Sequence, residues 1–342
     1  MGKSESCRGC PCLNINNDFL PCVSIVIPTF NNERTIKECL ESVFMQNYPR
    51  DRFEVILVDG GSTDRTLRIV KNYPVRVLHN RNRIEQGRNC GRDLGYRNAR
   101  YELIAWLDAD NIIVGDKWLR TMVAPFLNEL DIFAVEPRPY ARKDDIGIIR
   151  YLSYTTRGQD PFLCTYFYDL DSLPPIKKDG YTVYRLMPEN SVGVGCCNGL
   201  IIKKAFIDKV GGFDYDIDVV YRIVSLGHAK IARADAYYIH KTVGSFYDFM
   251  KKRYRIIREY FFFKDQRTFP WNAVLKEPGF LRYVLSSLLL FGPTSLGAKK
   301  YRVYRDKAWF YHPFASFVTV MIYALYVLFN PNCWRAAFGV FS

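Results

Sequence analysis

The chain has no internal repeat and no low-complexity tract, which excludes a solenoid and argues against wholesale disorder. No apolar segment follows Met1, so no secretory leader is expected. Its ten cysteines do not read as a secreted framework, since 342 residues need no disulfide staples. The spacing of Cys7, Cys10, Cys12 and Cys22 could bind zinc but is not one of the common paired knuckles. Cys7, Cys10, Cys12 and Cys22 are read as part of a flexible tail over residues 1–22, and Cys39 and Cys90 as core thiols inside helices. The opening Met1-Gly2-Lys3-Ser4-Glu5-Ser6 fits a myristoylation pattern too common to carry an assignment. Acidic residues are scarce near the other end. From Lys251 to Ser342 there are 15 Lys/Arg against 4 Asp/Glu, which accounts for most of the net charge of +13. Such a block suits nucleic acid or an anionic membrane, and its interleaving with aromatic and apolar runs favours the membrane over nucleic acid.

What is present from Val23 onward is an alternation of short apolar runs and amphipathic stretches. Val23 to Pro28 reads as a buried strand closed by Pro and by Asn31-Asn32. Glu33 to Met45 carries Ile36, Leu40, Val43 and Phe44 at helical spacing. Phe53 to Val58 is a second strand ending at Asp59, and Thr63-Asp64 offers a cap for a helix running to Tyr73. Val75 to Leu78 and Leu103 to Leu107 are two further strands. The alternation predicts an α/β fold with a mainly parallel sheet covered on both faces. Ligands of such sheets bind beyond the carboxyl ends of the strands, where Pro28-Thr29-Phe30, Asp59-Gly60-Gly61 and Asp108-Ala109-Asp110 fall. Residues from about Arg138 to Asn190 read as long and irregular, in the manner of a lid or binding loop.

Asp108 and Asp110 stand two apart at a strand end. Carboxylates are suitable hard ligands for the divalent cation that a nucleotide diphosphate requires as a leaving group. Asp110 is expected to bind the metal, with Asp108 turned to the ribose or a metal-bound water. Taken in order, Val23 to Glu33, Val58-Asp59-Gly60-Gly61-Ser62-Thr63-Asp64, Gly87-Arg88-Asn89-Cys90-Gly91, Leu107-Asp108-Ala109-Asp110 and Gly211-Gly212-Phe213-Asp214 resemble family 2 of the glycosyltransferases. That resemblance implies the GT-A fold, a UDP- or GDP-sugar donor, Mg²⁺ or Mn²⁺, and inversion at the transferred sugar. It places Pro28, Thr29 and Phe30 against the base, with Glu33 in the same donor-binding stretch. Asp59 is placed on a ring nitrogen, Arg88 on the base or phosphates, and Asp108 and Asp110 as argued. The family often has a second Asp where this chain has Gly60. Its base for the acceptor hydroxyl follows Gly-Gly-Phe-Asp, where this chain reads Asp216-Ile217-Asp218. Asp218 is taken as the base with Asp216 as its rival, and His240 as an additional metal ligand.

The domain reading is therefore 23–245 for the GT-A unit, with 23–126 its nucleotide-sugar half and 127–245 its acceptor half, and 246–342 as a basic, apolar helical region. Two apolar segments lie in that region, near Tyr283 to Leu296 and Pro313 to Phe329, separated by Lys299, Lys300, Arg302, Arg305 and Lys307. A two-span hairpin would put these cations outside, against the positive-inside rule. A peripheral or monotopic placement on the cytoplasmic face, or one shallow span, keeps them inside. The expected reaction is sugar transfer to a lipid-linked or saccharide hydroxyl. Transfer to polyprenyl phosphate, sugar-phosphate nucleotidyl transfer and a non-catalytic membrane scaffold are the alternatives.

Overall fold

The computed structural model describes residues 20–80, 89–155, 161, 170–194, 198–271 and 278–330. Its centre is a ten-stranded mixed sheet. The strands are β1 (Val23–Thr29), β2 (Phe53–Asp59), β3 (Arg76–His79), β4 (Leu103–Leu107), β5 (Asn111–Val114), β6 (Ala134–Pro139), β7 (Ile176–Lys178), β8 (Tyr181–Arg185), β9 (Asn198–Lys203) and β10 (Lys230–His240). They lie in the order β3-β2-β1-β4-β9-β6-β10-β8-β7, with β5 paired to the end of β10. Across β3, β2, β1 and β4 every pair is parallel, whereas β9 runs antiparallel to both β4 and β6.

Period-two patterning explains why this sheet is covered twice. In β1, Ile25 and Ile27 enter one core while Val26 enters the other; in β2, Val55 and Leu57 alternate with Ile56 and Val58 in the same way. Helices α1 (Ile36–Phe44) and α2 (Thr66–Val70) follow β1 and β2. The second is shorter than the expected run to Tyr73. Asp64 accepts the Thr66 amide at 2.9 Å, which holds the residues before Thr66 in a turn rather than in the helix. Helix α3 (Asn89–Arg97) crosses β1 so closely that a Cβ on Gly95 would stand 2.3 Å from Val26 Cγ1. Glycine is required there by contact rather than by backbone angle.

The described part of 127–245 is more regular than its sequence suggests. Helices α4 (Trp118–Asn128) and α5 (Gly147–Tyr154) are followed by the β7–β8 hairpin, turning at Gly180 with φ +74°. Strands of three and five residues with no strong alternation left little periodic signal. Helices α6 (Lys204–Lys209) and α7 (Asp216–Ser225) lead into β10.

Beyond β10 the chain is helical: α8 (Phe246–Phe263), α9 (Pro278–Leu288), α10 (Phe291–Tyr304) and α11 (Tyr311–Phe329). The apolar segment read as one piece near 283–296 is broken in two, with Leu290 left-handed at φ +58° between α9 and α10. Among the described residues one helical stretch, Lys307–Phe329, is long and apolar enough to cross a membrane, at a mean hydropathy of 1.6. A third core, which includes Ile148, Tyr151, Phe249, Trp309 and Ala315, joins these helices to α5. Asp306 anchors that junction. It takes Arg150 Nε at 3.0 Å, the Tyr154 hydroxyl at 2.9 Å and the Ala308 amide at 2.8 Å.

Candidate active site

The register of the sheet brings the first two loops together. Thr29 pairs with Asp59, the Gly60 amide donates to Thr29 O at 2.8 Å, and Asn80 N donates to Asp59 O at 2.8 Å. Asn31 adopts a left-handed φ of +53°, and this lets it bridge the loops. Its amide donates to Ser62 Oγ at 3.0 Å and its side-chain oxygen accepts Thr63 N at 2.8 Å. Pro28 precedes this loop in β1, Thr29 is buried with its hydroxyl on Asn32, and Phe30 is 38% exposed at the rim. Asp59 is almost fully buried, and its carboxylate accepts the amides of Gly61 at 3.0 Å and Ser62 at 3.1 Å. Glu33 accepts the Arg65 amide at 3.0 Å and its Nε at 3.2 Å, and these contacts hold its carboxyl below the ordinary value. Arg88, expected on the base or phosphates, lies outside the described residues.

Asp108 and Asp110 are set by a turn and by a strand from far along the chain. Asn111 accepts the Asp108 amide at 3.0 Å while donating its own amide to Asp108 O at 2.9 Å. Strand β5 starts at Asn111 and runs antiparallel to β10, with His240 opposite Asn111 and the Lys241 amide on Asp110 O at 2.9 Å. This pairing delivers His240 Nε2 to 3.2 Å from Asp110 Oδ1. One donor atom each from Asp108, Asp110 and His240 lies within 4.8 Å of the others. Burial would raise the Asp110 carboxyl, but His240 and then Lys252 outweigh it and hold it down at about 2. The group is an anion at neutral pH. Two carboxylates and an imidazole form an oxygen-rich set with one nitrogen, a chemistry that suits Mn²⁺ and accommodates Mg²⁺.

Sequence reasoning missed the support around these ligands. Arg92, on α3, donates Nη2 to Asp108 Oδ1 at 2.7 Å. Asn111 donates its side-chain amide to Asn198 Oδ1 at 3.2 Å, tying the turn to β9. The i, i+4 spacing of Arg88 and Arg92 was the available signal for the first. Nothing local marked the second.

The Gly-Gly-Phe-Asp segment docks on the same side of the sheet. Gly212, at φ +116°, comes so near α3 that a Cβ would meet Arg97 Nη2 at 2.8 Å and Asp93 Oδ1 at 2.9 Å. Asp93 accepts the Phe213 amide at 3.0 Å, and the Phe213 ring stacks on Trp106, two residues before Asp108, at 4.4 Å. Asp214 is held by both terminal nitrogens of Arg222, at 2.7 and 2.6 Å.

Asp218 does not fit the role expected of it. It is fully buried; Arg267 donates Nε to Oδ2 at 2.6 Å, Phe269 N donates to Oδ1 at 2.8 Å, and both the amide and the hydroxyl of Thr268 donate to Oδ1. A carboxylate so held has no open approach for an acceptor hydroxyl. Asp216 opens α7 and is partly exposed, with Oδ1 accepting the Ile217 amide at 2.9 Å.

A family model described as glycosyl transferase family 2 matches residues 24–203, more than half of the chain. Among curated proteins, a dolichyl N-acetyl-alpha-D-glucosaminyl phosphate 3-beta-D-2,3-diacetamido-2,3-dideoxy-beta-D-glucuronosyltransferase of Methanococcus voltae is 51% identical over 49 residues, 14% of this chain and 15% of that protein. Chondroitin synthase of Pasteurella multocida is 27% identical over 232 residues, 60% of this chain and 23% of that one. The chain thus spans less than a quarter of the length of these two relatives. The mannosyltransferase PcManGT from Pyrobaculum calidifontis, solved with GDP-Man and Mn²⁺, has a TM-score of 0.55 at 16% identity, over 91% of this chain and 88% of its own. That likeness is one of fold.

Proposed function

The chain belongs to glycosyl transferase family 2, and on that premise we propose that it is an inverting transferase moving a sugar from a nucleotide-diphosphate donor to a hydroxyl. The observation that carries the reading is the convergence of Asp108, Asp110 and His240 within 4.8 Å, at the strand ends where the β1 and β2 loops also meet. Asp110 and His240 would hold a divalent ion, with Asp108 on the ion or the ribose. Bound there, the ion would neutralise the leaving diphosphate. Phe30 offers an exposed ring for stacking on a base, Pro28 and Thr29 shape the floor beneath it, and Asp59 fixes the facing loop. Arg92 orients Asp108.

The proton-accepting role falls to Asp216 in this reading. Saturation of Asp218 by Arg267, Thr268 and Phe269 supports moving the role one helical step earlier. Asp216 takes the acceptor hydroxyl's proton as the new glycosidic bond forms and the bond to the diphosphate breaks, the electron pair leaving with the diphosphate.

The unit 23–245 carries this chemistry, and 246–342 holds it at a membrane, where a lipid-linked or other saccharide acceptor is met. Leu289 at 76% and Phe291 at 81% exposure project at the α9–α10 turn beside a basic helix, which suits an anionic lipid surface. Burial of His312, Ala315, Ser316, Thr319 and Val320 along α11 favours a monotopic placement over an isolated span. The cations that precede α11, Lys299 to Lys307, favour the cytoplasmic face.

Donor hydrolysis across UDP- and GDP-sugars, with and without Mn²⁺ or Mg²⁺, tests the reading. A preferred donor and metal-dependent turnover are expected, and equal turnover of every donor by wild type and Asp110→Asn would sink the metal assignment. Co-sedimentation with vesicles containing anionic lipid, compared with neutral ones, tests the membrane placement. Equal recovery with both would remove it.

A further inference from the structure

We infer that Arg267 is a positioning residue for the proton acceptor, acting from the helical appendage through Asp218 and Tyr215. This rests on the reading of Asp216 as the base. Asp216 is the first residue of α7, and the residues on either side of its turn are both gripped by one short segment, Gln266 to Phe269. On one side the Tyr215 hydroxyl donates to Gln266 Oε1 at 3.0 Å, and the Tyr215 ring lies under the Arg267 guanidinium at 4.5 Å. On the other, Arg267 Nε and Nη2 both reach Asp218 Oδ2 at 2.6 Å, while Phe269 N and the Thr268 hydroxyl take Oδ1.

The ion pair is sequestered: the Asp218 side chain is 0% exposed and that of Arg267 14%. A charge-assisted, two-nitrogen contact of this kind fixes direction as well as distance. The guanidinium also stands 5.9 Å from the Trp271 ring. The other ties on this segment hold it from the opposite end. Asp214 is spent on Arg222, and Phe213 is locked between Asp93 and Trp106. The backbone that carries Asp216 is therefore clamped before and after it. The clamp after it comes from a stretch some 50 residues downstream, beyond α8. Helix α8 itself starts just after His240, so one excursion of the chain leaves the metal-ligand strand and returns to brace the base. Lysine at 267 would keep the charge but lose the two-nitrogen geometry and the flat surface on Tyr215.

The test is a double-mutant cycle on the full chain, using Asp216→Asn, Arg267→Lys and their combination. It measures turnover of the preferred nucleotide-sugar with water as acceptor, normalised to sites counted by UDP or GDP binding with Mn²⁺. Arg267→Lys is expected to lower kcat about tenfold or more, with donor KM within about twofold, and to shift the acid limb of the kcat profile. In the Asp216→Asn background the same substitution should cost almost nothing, since its effect passes through Asp216. A loss of equal size in both backgrounds would mark Arg267 as merely structural and overturn the inference. An inactive Asp216→Asn beside an unaltered Arg267→Lys would overturn it while leaving the base reading intact. Full turnover by Asp216→Asn would remove the base reading, and this inference with it. Should Arg267→Lys fail to fold, Asp218→Asn enters the same cycle with the same expected outcomes.

Discussion

The sheet edge that bears Asp108 and Asp110 and the helical appendage after β10 use polar groups in opposite ways. At the sheet edge, several acidic residues are held by groups close to them in sequence. Asp59 takes Gly61 and Ser62, Asp64 takes Thr66, and Asp108 sits in a turn closed by Asn111. Around the appendage, carboxylate contacts include long-range ties: Asp306 to Arg150, and Asp218 of α7 to Arg267. The difference teaches where binding and where assembly are encoded. Groups satisfied by their neighbours in sequence present a preformed surface to a ligand, at little entropic cost when it arrives. Groups satisfied across 49 or 156 residues hold separately formed elements together, and their loss is felt as loosening.

The comparison is sharpened most by the two carboxylates that the proposed function puts at the chemistry. Asp110→Asn and Asp216→Asn should each lower donor turnover by about a hundredfold or more while leaving the melting temperature near that of wild type. A melting shift as large as the activity loss would show that the sheet edge also assembles the fold. The reverse is expected of Asp306→Asn. It should cost about 1–3 kcal/mol, read as faster amide exchange in α10 and α11, with nucleotide binding retained. Uniform destabilisation across the molecule would break the distinction between the regions.

Gly95→Ala tests the core beneath the site. The methyl would meet Val26 at 2.3 Å, so a net loss of about 1–3 kcal/mol is expected despite alanine's better helix propensity. Unchanged stability in denaturant would show that α3 can lift from β1 without cost. Acidification should loosen the appendage first. Burial raises the Asp306 carboxyl, but the Ala308 amide, Arg150 and Tyr154 outweigh it and hold it below 3.8. The contribution is thus complete above that value and is lost as pH falls through the lowered one. Amide exchange in α10 rising with falling pH, ahead of exchange in β1 and β4, is the expected record. The smallest effect belongs to Glu33→Gln, whose exposed pair with Arg65 should leave the melting temperature unaltered. A change in donor KM without a change in stability would place Glu33 at the donor.

Much of the stretch 23–126 was legible in the order of residues. Strands Val23–Thr29, Phe53–Asp59 and Leu103–Leu107 are mainly apolar runs, and each leads into the polar residues that form the edge. Asp216 and Asp218 share a motif and differ in what reaches them. Asp218 is covered by Arg267, and no spacing rule connects positions so far apart. Arg138 to Asn190 looked irregular for a related reason. Helix α5 takes its stability from Trp309 and Ala315 rather than from its own caps.

The sequence by itself determined the mixed α/β sheet, the strand ends that carry Asp59, Asp108 and Asp110, and the basic, apolar character of the last quarter. These follow from local periodicity and composition, which act over a few residues. Only the tertiary structure decided that His240 joins Asp110, because that depends on β10 pairing with β5 across more than 120 residues. It alone decided that Asp218 is fully buried while Asp216 is partly exposed. Burial is a property of what packs against a side chain, and here that partner lies beyond the end of another helix.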